Sequence, residues 1–124
     1  MRDVVSTKDA PASPFYSQAV RAAGLIFVSG QSGHDPTTGQ LAGPTIVEQT
    51  RQSLKNVKAI LEAAGSSMQK IVSATFILSN PEDFAGMNEE WAKWFVDDPP
   101  ARQGAKLPLD VNGLLVSIAV VAVE

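Results

Sequence analysis

A chain of 124 residues with 44% apolar side chains and a net charge of −3 is sized for one globular domain, taken here as residues 1–124. With no cysteine, disulfides, thiolate metal sites, iron–sulfur clusters and a cysteine nucleophile are excluded, and a single histidine, His34, excludes a multi-histidine metal centre. The acidic balance disfavours nucleic acid as a partner, and no apolar run is long enough to span a membrane as a helix, so a cytoplasmic protein is expected.

In chain order, residues 2–6 can form a short strand, and Ala10-Pro11-Ala12-Ser13-Pro14 reads as an ordered loop of small residues and prolines. Tyr16, the only tyrosine, is either a half-buried core ring or one that closes a site. Residues 19–22 and 25–29 are strand candidates around Ala23-Gly24, where glycine allows the φ of a tight hairpin. Gly30, at the end of that apolar run, either bulges the strand or lets its backbone approach a ligand. His34 beside Asp35-Pro36 reads as a solvated turn residue.

Thr45 and Glu48 have capping-box spacing, and Val47, Thr50, Leu54, Val57, Leu61 and Ala64 then mark one helix face that Gly65 stops. Arg51, Lys55, Lys58 and Glu62 are expected to be its solvated face. Residues 71–78 alternate as a strand rich in β-branched side chains and apolar on both faces. Asn80-Pro81-Glu82-Asp83 supplies an N-cap, a proline at the first position and acids in the first turn. The helix it opens is expected to run to about Phe95, packing Phe84, Met87, Trp91 and Trp94 or Phe95, with Asn88 at the edge of that face.

Pro99-Pro100 ends this helix and delivers Arg102 in a stiff position at the start of a strand reaching Lys106. The planar guanidinium fork suits a carboxylate, although the same position also fits an ordinary surface arginine. After a turn region at 108–113, residues 114–123 form a strand apolar on both faces, with Ser117 its sole polar side chain. One layer of helices covers one face only. The other therefore needs a second cover, most simply another copy of the sheet, so an oligomer is expected.

Six segments in register resemble the RidA/YjgF family over about residues 14–122: Pro14-Phe15-Tyr16-Ser17-Gln18-Ala19-Val20, Val28-Ser29-Gly30-Gln31, Asp35-Pro36-Thr37-Thr38-Gly39, Gln49-Thr50-Arg51-Gln52 with the run from Asn56 to Gly65, Asp83-Phe84 with Met87-Asn88, and Pro99-Pro100-Ala101-Arg102. The resemblance implies a chorismate-mutase-like α+β fold, a mixed β-sheet with two helices packed on one face, assembling into a homotrimeric barrel with clefts between subunits. It implies hydrolysis of reactive 2-imino or enamino acids to 2-keto acids and ammonia, with no metal or cofactor. Some family members are labelled endoribonuclease L-PSP or translation initiation inhibitor.

Carried onto this chain, the resemblance makes Arg102 the residue that holds the substrate carboxylate. Tyr16, Ser29 and Gly30 line the cleft, and Gln31 and Asn88 complete the substrate-binding set. Tyr16 and Ser117 join Arg102 as the catalytic candidates. The family glutamate expected fifteen residues after the arginine is Ser117 here, and a second acid on that strand is Ala119. A serine hydroxyl hydrogen-bonds water but is no base near neutral pH. A carboxylate-binding or protective protein without turnover is therefore the alternative, with an RNA-cleaving or translation-inhibiting role behind it.

Overall fold

The computed structural model describes residues 1–124. Strands β1 (Asp3–Val5), β2 (Ala19–Ala22), β3 (Leu25–Ser32), β4 (Ile71–Leu78), β5 (Ala101–Lys106) and β6 (Val116–Val123) form one sheet in the order β1-β2-β3-β6-β4-β5. All neighbours are antiparallel except β4 and β5, which run parallel. With α1 (Ile46–Ala63) and α2 (Phe84–Trp94), this is the mixed α+β architecture expected.

The period-2 alternation sorts the sheet into two faces. Ile26 and Val28, Ala74 and Phe76, and Ile118, Val120 and Ala122 join Leu54, Val57, Ile60 and Leu61 of α1 and Met87 and Trp91 of α2 in one core. The opposite face is open. Phe27, Ser73, Thr75, Ala119 and Val121 border a shallow depression on it, with no element of the chain laid over them.

The hairpin forms as read, with both Ala23 and Gly24 at positive φ (54° and 77°), as a tight two-residue turn requires. Strand β3 is longer than expected because Gly30 lies inside it, and the register with β6 shifts between Val28 and Gln31. Strand β6 starts later than expected, at Val116. The N–H of Leu115 is taken by the Gln49 side chain at 3.0 Å instead of by a neighbouring strand.

The first helix has its full capping box at Thr45 and Glu48, and Gly65 follows its C-cap with φ 83°. Its buried face is partly polar. Gln49 donates to the carbonyls of Gly43 and Gly113, Ser53 donates to that of Gln31, and Asn56 donates to those of Ser32 and His34. His34 is accordingly half-buried, its Nδ1 2.6 Å from the Ser32 hydroxyl, and not the solvated turn residue expected.

Three expectations about the helices are corrected. Asn80 does not cap the backbone: Pro81–Asp83 forms a 3₁₀ turn, and α2 begins only at Phe84. Phe84 consequently leaves the core and is 44% exposed. Arg51 is not ordinary solvated surface, because its Nε and Nη2 lie 3.3 and 3.1 Å from the two carboxylate oxygens of Glu90. Glu90, only 2% exposed, also accepts from Trp94 Nε1 at 2.9 Å and faces Lys93.

Burial alone would raise the Glu90 pKa. The Arg51 fork, the Trp94 N–H and Lys93 outweigh it and hold the carboxyl below the usual range. A lowered folded pKa means that this clamp between α1 and α2 stabilises fully above the unfolded glutamate value of about 4.3 and is lost as pH falls through the folded one. Arg51→Ala should lower stability by about 1–2 kcal/mol near pH 7, a range kept low because Arg51 itself is half-exposed. Urea titration at pH 7 and pH 3 checks this, the difference between native and variant shrinking in acid.

Candidate functional site

Arg102 emerges on β5, at the edge of the sheet, paired with Ala74 of β4 and therefore on the helix-covered side. Its guanidinium carbon lies 4.8 Å from the Phe76 ring centroid, 5.0 Å from Trp91 and 5.7 Å from Phe84. Nη1 donates to the Asn88 amide oxygen at 2.7 Å. No carboxylate lies within ion-pairing distance of it. Burial against the rings pulls its pKa below the ordinary arginine value, yet a guanidinium remains protonated in proteins. The result is a ring-stacked cation with no carboxylate of the chain paired to it. Asn88 and Arg102, named separately from the sequence, are thus brought together.

A second group forms at the bulge of β3. Ser29 donates its hydroxyl to the Ser17 carbonyl at 2.6 Å and its N–H to the Gln18 carbonyl at 2.9 Å, which ties the loop carrying Tyr16 to the strand. The loop is held from inside by Gln18: its Oε1 accepts from the Thr7 N–H, and its Nε2 donates to the carbonyls of Thr7, Ala10 and Pro11. Tyr16 is 54% exposed, which corrects the core-ring reading. Gly30 lies diagonally across β3–β6 from Ser117, whose direct partner is Ser32, and a Cβ on Gly30 would lie 2.8 Å from the Ser117 Oγ. The bulge expected at Gly30 is present, and the missing side chain leaves room for the Ser117 hydroxyl.

Gln31 stands apart from the expected ligand set. It is buried, its Nε2 donating to the Ser29 carbonyl at 3.0 Å, so it braces Ser29 from behind.

Within one chain the two groups do not meet. Ser117 lies between the buried Val116 and Ile118 and so points to the open face, whereas Arg102 is on the helix side. Strands β6 and β4 separate β3 from β5, a distance of roughly 14 Å at about 4.8 Å per strand. The ring platform under Arg102 was missed from the sequence, because Phe76, Phe84 and Trp91 have the spacing of ordinary core residues.

This arrangement of sheet and helices has counterparts among known proteins. The endoribonuclease L-PSP family model matches residues 7–124. The chain belongs to the RidA/YjgF family. A RutC family protein of Pyrococcus horikoshii is 42% identical over 127 aligned positions, covering 98% of each chain. The mouse 2-iminobutanoate/2-iminopropanoate deaminase is 40% identical, covering all of this chain and 93% of its own. Among solved structures, Escherichia coli TdcF with bound serine superposes with a TM-score of 0.91 at 32% identity, covering 98% of each chain. This RidA/YjgF member has no helix long and apolar enough to cross a membrane.

Proposed function

We propose that this RidA/YjgF protein hydrolyses reactive 2-imino acids to 2-keto acids and ammonia in clefts between copies of the chain. The carrying observation is Arg102: a cation on three aromatic rings, hydrogen-bonded to Asn88 and without a carboxylate partner, is a receptor for a carboxylate from outside. The deaminase name of the mouse relative and the serine bound in TdcF, itself a carboxylate, support the reading.

The chemistry asks little of the protein. Water adds to C2 of a protonated imine, a proton passes from the added oxygen to nitrogen, and the tetrahedral adduct breaks its C2–N bond as C2–O becomes a carbonyl, the remaining hydroxyl proton leaving with the ammonia as ammonium. Orienting the imine beside a held water is then the main task. Arg102 of one copy holds the carboxylate. Tyr16, Ser29, Gly30 and Ser117 of a second copy present the opposite wall, with the Ser117 hydroxyl as the water's hydrogen-bond partner. Semicarbazide competition on 2-iminobutanoate generated in situ tests this: turnover lowers semicarbazone yield, and an unchanged yield at micromolar protein rejects it.

Ser117 itself favours a second reading, carboxylate binding without turnover, since no carboxylate stands at that position to act as base. An RNA-directed role fits poorly with a net charge of −3.

The site needs a partner copy, because its halves lie on opposite faces of one sheet. The open face with Phe27, Ala119 and Val121 suits the inner wall of a homotrimer. Sedimentation equilibrium should return three chain masses at micromolar concentration; one chain mass overturns the assembly.

A further inference from the structure

Beyond Arg102, the helix-side residues of β5 are Gly104 and Lys106, paired with Phe76 and Leu78. A Cβ at Gly104 would lie 2.1 to 2.7 Å from carbons of the Phe76 ring. Only a residue without a side chain lets that ring lie flat against β5, where it stacks with Phe84 at 5.6 Å and 27°. The two rings have a double use. At one end they carry the Arg102 guanidinium, and at the other they line, with Leu78, Pro81 and the backbone of Gly104, an apolar pocket of about 380 Å³. Lys106 is the one charged lining residue, a type that keeps its ammonium in water while its stem lies along apolar surface.

We propose that this pocket takes the substrate side chain, and that the protein prefers 2-imino acids with apolar side chains of leucine or phenylalanine size over those whose side chains have one or two carbons. The inference rests on the reading that Arg102 holds the carboxylate. C2 of an imino acid is planar with three substituents. With the carboxylate on Arg102 and the chain running along the Phe76–Phe84 wall, the C=N group is the one left facing the second copy. The distances agree, since Gly104 is two residues from Arg102, about 7 Å along an extended strand. Charge agrees as well: a cation at one end and carbon surface at the other match a monocarboxylate with an apolar tail. The pocket is of the size that small-molecule sites occupy, at the lower end of about 300–1,000 Å³.

Isothermal titration calorimetry of the intact protein with 2-oxobutanoate and 2-oxohexanoate, stable product analogues, tests the proposal. A tail entering the pocket should tighten binding about fourfold per added methylene, hence at least tenfold over two. Gly104→Ala pushes the Phe76 ring into the pocket and should bring the ratio of the two affinities toward one. If that variant fails to fold, the native series still decides. Should 2-oxobutanoate bind through Arg102 while 2-oxohexanoate binds no better, the pocket proposal is overturned and the carboxylate reading stands. That result is also the one expected if a second copy's exposed Phe15 fills the pocket. If neither acid binds, the Arg102 reading falls, and this inference with it.

Discussion

Arg102→Ala is expected to lose roughly ten- to a hundredfold in affinity for small 2-keto acids while the protein stays folded. A charge-assisted bidentate contact is worth about 1.5–3 kcal/mol when water is kept away, which sets that range. The fold should survive for reasons visible at the site. Arg102 has one side-chain hydrogen bond, to Asn88, no ion pair, and an exposed position on an edge strand whose backbone pairing with β4 does not involve its guanidinium. Truncation loses the contacts with the Phe76, Phe84 and Trp91 rings, a modest term at an exposed site. Arg102→Lys separates charge from geometry: an ammonium keeps the attraction but not the fork, and should recover only part of the loss. Calorimetry on native and variant protein provides the measurement, and equal affinities would return Arg102 to an ordinary surface residue.

Ser117→Glu is expected to raise 2-iminobutanoate hydrolysis at least about tenfold, at the lower end of what general acid–base catalysis supplies. The missing side chain at Gly30, whose Cβ would approach Ser117 Oγ to 2.8 Å, leaves space on the open face for a longer group. A carboxylate there works only when ionised, and its surroundings of Ala119 and Ile77 raise its pKa by desolvation. The variant should therefore gain an ionisation in its pH–rate profile, its rate climbing with pH through the new group's pKa, where native protein shows no such step. The water-positioning account fails if the native protein already turns over iminobutanoate rapidly, or if the variant assembles, binds 2-keto acids normally and gains no rate at any pH.

Much of the scaffold was legible in the residues. The alternation in 71–78 and 114–123, the capping box at Thr45 and the hairpin glycine are local signals whose partners lie within a few residues, and each element appears as read except that the last strand begins two residues later, at Val116. Signals that join distant segments were not legible. Gln49 reaches Gly113, and Arg51 reaches Glu90, through contacts that no local period encodes, so α1 looked more uniformly apolar inside and more uniformly solvated outside than it is. Pro81 illustrates a conflict of local rules: the residues of an N-terminus are present, but they build a 3₁₀ turn and turn Phe84 outward. That displacement shapes the candidate site, because Phe84 becomes part of the platform under Arg102. The placement of Arg102 at the start of a strand could be read from Pro99-Pro100; its rings could not. That Ser117 and Arg102 face opposite ways follows from strand parity once β6, β4 and β5 are aligned, and alignment is a property of the sheet, not of any one segment.

If the cleft is built from two copies as proposed, with its halves on opposite faces of each sheet, the amount of protein becomes a control on its own chemistry. A lone copy would then carry both halves and complete neither, whereas a closed ring of copies would complete every one at once. Specific activity would then fall on dilution with no change in any side chain. A chain damaged only at Arg102, mixed with one damaged only near Ser117, would leave some clefts whole, so each kind of injury could be partly masked by the other.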